Sequence, residues 1–189
     1  MNAPARLQTE PQRRLFTVDE VLAIQRAGVF EDDRKFELIE GELILMRSRL
    51  NRHELYKNQL TQAFYRLSPS DVAAWVEPTF YLPPHNAPDP DLMVLPRGRS
   101  IEELKPDEVF LVVQVADTSL RTDPGVKAAL YARFGVPEYW VIDVNAPRLV
   151  VHRYPEGGAW KEVRSISRAE PIAPLAFPDA AIRLVDLET

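Results

Sequence analysis

The stretch Phe110-Leu111-Val112-Val113-Gln114-Val115-Ala116 is apolar except for one amide. Such a run of β-branched and large residues reads as a strand covered on both faces of a sheet. An amide in that setting costs free energy unless it finds partners. Gln114 therefore either satisfies a hydrogen bond in the core or faces something that needs an oxygen ligand.

The elements around this strand set the fold class. Thr17-Val18-Asp19-Glu20 is a capping-box pattern, followed by Val21, Leu22 and Ile24 and stopped at Gly28, which predicts a short helix over 15–28. Over 36–46, Glu40-Gly41 splits two apolar segments and predicts a hairpin. Leu55, Leu60, Phe64 and Leu67 recur at helical spacing over 51–67. Strands are expected over 73–82, from Asp91 to Leu95, over 138–144 and over 148–154, with a helix over 122–134 that has Asp123 as N-cap and Pro124 at its first position. The tail alternates short strands with Pro-rich turns. Helices interspersed with strands give an α/β domain with a mixed sheet flanked by helices.

The chain has 189 residues, long enough for one domain with a real core, expected over 15–189, with 1–14 disordered. No stretch approaches the ~18 apolar residues of a membrane span. There is no cysteine, which removes disulfides and thiolate metal sites and makes the cytoplasm the expected location. A net charge of −5 argues against coating nucleic acid non-specifically, though it leaves room for a local basic surface.

Three polar side chains stand where apolar ones are expected. Asp91 opens a buried-looking strand, Gln114 interrupts another, and Glu37 lies at the start of the hairpin. If those strands are neighbours, the three converge on one sheet edge and offer oxygen ligands of the kind that suits Mg²⁺. Lys127, in the first turn of its helix, is placed to hold a phosphate or help activate water. Each also has a plain reading: Asp91 in a Pro-Asp-Pro turn, Glu37 on an exposed strand face, Lys127 in a helix-surface pair with Asp123. Arg47, Arg49, Arg52, His53 and Lys57 form a basic cluster suited to phosphate contacts, or simply a solvated loop and helix face. Trp75, Trp160 and the Tyr139-Trp140 pair read as core or interface aromatics. No Gly-x-Ser-x-Gly elbow, Gly-rich phosphate loop or His-Glu-x-x-His is present.

Taken together, Phe36-Glu37-Leu38-Ile39-Glu40-Gly41-Glu42, Pro90-Asp91, Val113-Gln114-Val115-Ala116-Asp117-Thr118-Ser119, the run Asp123 to Tyr131 and the run Gly135 to Asp143 resemble the Uma2 family. That family is assigned to the PD-(D/E)xK nuclease superfamily. The resemblance implies a restriction endonuclease-like mixed sheet with an additional β-rich C-terminal part, and Mg²⁺- or Mn²⁺-dependent hydrolysis of DNA phosphodiester bonds. It implies Asp91 as main metal ligand, Glu37 as the upstream acidic ligand, and Gln114 where the family usually carries Glu. The superfamily lysine falls at Ala116 here, and Lys127 matches the position to which this family has moved it. Asp123, Tyr131 and Asp143 match as helix cap, packing group and strand-end support. A glutamine brings no charge, so the metal is expected to be held weakly.

The leading expectation is a Mg²⁺-dependent DNA endonuclease, acting as a homodimer because two-fold symmetry is the simplest way to cut both strands. The competing expectation is a catalytically degenerate nuclease fold that binds nucleic acid or a protein partner without cleavage. A third is a structural domain whose polar residues satisfy one another.

Overall fold

The apolar run around Gln114 lies at the centre of the main sheet. The computed structural model describes residues 13–30, 35–46, 51–116, 124–146 and 148–187. Helix α1 (Val18–Arg26) precedes a hairpin of β1 (Phe36–Ile39) and β2 (Glu42–Leu45). Helix α2 (Asn51–Leu67) leads to β3 (Val72–Val76) and β4 (Leu92–Pro96). Then come β5 (Leu111–Ala116), α3 (Pro124–Arg133), β6 (Glu138–Asp143), β7 (Arg148–Glu156) and β8 (Ala159–Ser167).

The six strands β3 to β8 pair in chain order. β5 and β6 run parallel, and every other neighbouring pair is antiparallel. A parallel pair needs a crossover connection, and α3 lies within it. Alternation along β5 then sorts the core into two layers. Val113 and Val115 pack with Tyr56, Leu60 and Phe64 of α2, while Val112 packs with Leu130 and Tyr131 of α3. Gln114 shares the parity of Val112 and so belongs to the α3 side. The expected helix-flanked mixed sheet is what forms.

The hairpin stands apart as a two-stranded sheet, so Glu37 does not come from the sheet that carries Gln114. A backbone bridge between Leu38 and Ala87 ties it down. Its turn has φ of 51° at Glu40 and 78° at Gly41, the two positive values that suit the twist of a tight hairpin. A Cβ at Gly41 would sit 2.6 Å from Leu15 Cβ, so glycine is also required by packing.

Helix α1 is shorter than its sequence pattern. The Thr17–Glu20 capping box is formed in both directions and starts the helix at Val18, leaving Leu15 and Phe16 outside it. The strand expected over 73–82 ends at Val76, where Glu77 takes a φ of 49° and Pro78 can donate no ladder hydrogen bond. The tail holds one long strand, β8, paired along β7, so the β-rich C-terminal part extends the main sheet. Residues 168–187 then fold back: buried Glu138 accepts from Arg153 Nε at 2.6 Å and Leu175 N at 2.7 Å. The proposed disordered segment 1–14 falls almost wholly outside the described residues, as does the N-cap Asp123.

Candidate active site

The register of the sheet explains the first contact of the site. Leu92 lies opposite Val113 across the antiparallel β4–β5 pair, so one step further places Asp91 beside Gln114. The Gln114 Nε2 group donates to Asp91 Oδ2. The same oxygen accepts the Val115 backbone N–H at 2.7 Å.

Helix α3 supplies the cation. Lys127 Nζ donates to Gln114 Oε1 at 3.1 Å and to Glu37 Oε1 at 2.6 Å. The Asp89 backbone N–H also donates to Glu37 Oε1, at 3.0 Å. Asp91, Gln114, Lys127 and Glu37 therefore form one continuous hydrogen-bonded chain drawn from four parts of the sequence. Asp91 is 0% exposed, Glu37 1% and Lys127 5%, while Gln114 is only half-buried. Buried charges of this kind persist only when paired and hydrogen-bonded, as these are.

Of the basic cluster, Arg47 and Arg49 lie outside the described residues. Arg52 is exposed and donates to the Val144 carbonyl at 3.3 Å. Lys57 is buried, with its ammonium between Glu54, at 2.7 Å, and Glu77. His53 is buried too, and its Nε2 stands 3.2 Å from Asp91 Oδ1. Arg52, His53 and Lys57 thus do not form one common surface.

The Uma2 family, described as "Putative restriction endonuclease", matches residues 18–185, nearly the whole chain. The chain belongs to the Uma2 family. No curated protein matches it. Among solved structures it is similar to "a putative nuclease belonging to DUF820" from Anabaena variabilis, with a TM-score of 0.72 and 18% identity over 91% of this chain and 97% of that one. That likeness establishes the fold: a nuclease-like mixed sheet flanked by helices.

Within this Uma2 fold, Asp89, which the sequence did not single out, and His53, which it placed among the phosphate-contacting residues, join the group around Asp91 and Glu37. Asp89 is a largely buried carboxyl whose pKa is pushed up to about 6, by burial first and by the nearby Glu37 charge, against Thr79 and Lys127. Its Oδ1 has no hydrogen-bond partner among the described residues. Its flanking prolines, Pro88 and Pro90, are the available signal, since they leave no room for a regular ladder. His53 was grouped with the basic residues, but the spacing His53, Tyr56, Lys57, Leu60, Phe64 places it on the buried face of α2. Tyr131 and Tyr139 lie beneath with fully buried hydroxyls, and burial together with the site's negative charges keeps both phenols protonated. Asp143 supports the end of β6, accepting the N–H groups of Asn145 and Ala146 at 3.0 and 3.2 Å.

Carboxylate oxygens beside a lysine are the donor chemistry for a hard divalent ion, and in that respect the site fits Mg²⁺ or Mn²⁺. The oxygens are engaged by N–H and ammonium groups of the protein, however. Among the described residues no group of three or more His, Asp or Glu is placed to hold a metal ion. None of the helices among those residues is long and apolar enough to cross a membrane.

Proposed function

We propose that this Uma2 protein is a DNA endonuclease of the cytoplasm, working as a homodimer and hydrolysing phosphodiester bonds with a weakly held Mg²⁺ or Mn²⁺. The observation that carries this reading is the single chain of bonds from Asp91 through Gln114 to Lys127 and Glu37. It puts a carboxylate that can anchor a cation and an ammonium that can meet a phosphate on opposite ends of one side chain. Asp91 would hold the ion, and Glu37 and Gln114 would complete its shell once the Gln114 side chain has moved out of its present contact with Asp91. A divalent ion at such a place supplies an activated water and neutralises charge developing on the phosphate. Lys127 would bind the attacked phosphate and stabilise its growing negative charge. Glu37 orients that ammonium, and the Asp89 backbone N–H fixes Glu37 in turn. Of the basic cluster, Arg52, with Arg47 and Arg49, would contact the nucleic acid, whereas His53 and Lys57 are buried beside Asp91 and Glu54.

The test is cleavage of plasmid and single-stranded DNA with Mg²⁺ or Mn²⁺, comparing wild type with Asp91→Ala. Metal-dependent cutting lost in Asp91→Ala is the expected result. Cutting that survives the substitution overturns the site.

The orientation of the Gln114 amide favours a second reading, a nuclease fold that binds nucleic acid or a partner without cleavage. On that reading wild type cuts nothing, and Gln114→Glu restores metal-dependent cutting.

A further inference from the structure

Gln114 lies between two groups of opposite hydrogen-bonding character. An ionised carboxylate only accepts and an ammonium only donates, whereas a primary amide does one at each end. With Asp91 on one side and Lys127 on the other, a single orientation satisfies both: the NH₂ towards Asp91 and the oxygen towards Lys127. Turned over, the amide would set oxygen against carboxylate and NH₂ against ammonium. Its oxygen is thereby directed away from Asp91. Asp91 is further engaged by the Val115 N–H at Oδ2, and His53 Nε2 stands 3.2 Å from its Oδ1.

We infer that the Gln114 amide is a built-in substitute for the cation at Asp91, so that this site is held together without a divalent ion and admits one only by displacing the Gln114 side chain. A glutamate at this position would still accept from Lys127, but it would set a second carboxylate against Asp91. Two such groups together need a cation between them or a shared proton. Glutamine removes that need and with it most of the affinity, since ligand charge is what tunes such sites over decades of Kd. The inference rests on the nuclease reading only in taking Asp91 as the cation's anchor.

The experiment titrates Mn²⁺ calorimetrically into wild type, Gln114→Glu and the double variant Gln114→Glu/Asp91→Asn, and follows thermal unfolding of each in EDTA and in Mn²⁺. Wild type is expected to unfold at the same midpoint in both solutions and to bind Mn²⁺ more than about tenfold more weakly than Gln114→Glu. Gln114→Glu is expected to lose stability in EDTA and regain it in Mn²⁺, and the double variant to lose that response. Wild type binding as tightly as Gln114→Glu, or gaining as much from Mn²⁺, overturns the inference. A second measurement needs no variant. The side-chain amide signals of Gln114 in wild type, followed by NMR as Mg²⁺ is added, should move in step with any binding of the ion; Mg²⁺ binding seen calorimetrically that leaves those signals in place overturns the inference. Failure of the nuclease reading looks different: Gln114→Glu then binds Mn²⁺ and leaves DNA intact.

Discussion

Lys127 Nζ and Glu37 Oε1 are 2.6 Å apart, and through this buried pair α3 is joined to a hairpin that shares no strand with the main sheet. The two residues are 90 positions apart in sequence. Their contact fixes where the hairpin sits and where the lysine points, so one ion pair serves both stability and the site.

Breaking that pair on one side should be expensive. Lys127→Met leaves Glu37 charged and buried, and removing one partner of such a pair typically destabilises by about 3–5 kcal/mol. Urea unfolding should show a loss of that order, and the double variant Lys127→Met/Glu37→Gln should recover much of it. A single variant within about 1 kcal/mol of wild type would mean that the pair carries little.

Glu138 anchors the C-terminal segment. It is fully buried and accepts from Trp140 Nε1 at 2.8 Å as well as from Arg153 and Leu175. Glu138→Ala strips Arg153 of its carboxylate partner, leaving it the Ala173 carbonyl, and leaves the indole N–H without its acceptor, for an expected loss of about 3–5 kcal/mol. Limited proteolysis within 168–187 should accelerate alongside. Unchanged proteolysis would show that the segment is held by its apolar contacts, those of Phe177, Ile182 and Leu184.

Gly41→Ala tests the hairpin turn. The substitution meets both a left-handed backbone and a clash with Leu15. The backbone effect alone is about 1–2 kcal/mol, so a larger loss is expected. A neutral outcome in thermal unfolding would mean that the hairpin shifts freely against Leu15.

His152 gives stability an acid limb. Burial lowers its pKa below the ordinary 6.5, against a hydrogen bond to the Tyr139 carbonyl that raises it. The unfolded chain therefore takes up the proton first as pH falls. The contribution of neutral His152 is fully present above pH 6.5 and declines as pH drops from there towards the folded-state value. His152→Phe should flatten that part of the stability curve between about pH 7 and 5. An unchanged slope would assign the acid limb to other groups.

Periodicity and turn chemistry carried most of the local structure. The spacing of Leu55, Leu60 and Phe64 predicts α2, the Thr17–Glu20 capping box starts α1, and the apolar run marks β5, because these signals depend on neighbours in the chain. The end of β3 at Glu77 escaped the same reasoning, since a strand stops where pairing stops, and pairing is non-local. In the site, Asp91, Gln114 and Glu37 stood out as polar where their surroundings predict otherwise, and Lys127 by its place in the first turn of its helix. Family membership followed from motifs written in the chain.

Only the tertiary structure decided what Gln114 does. Its sequence context says that an amide must find partners; it does not say at which end each partner stands. Register placed Asp91 on one side and the α3 crossover placed Lys127 on the other, and the opposite polarity of those two groups oriented the amide. Burial of His53 against Asp91, and of Asp89 beside Glu37, came from the same folding of distant segments. Composition shows which groups could donate or accept; direction is a property of the assembled site.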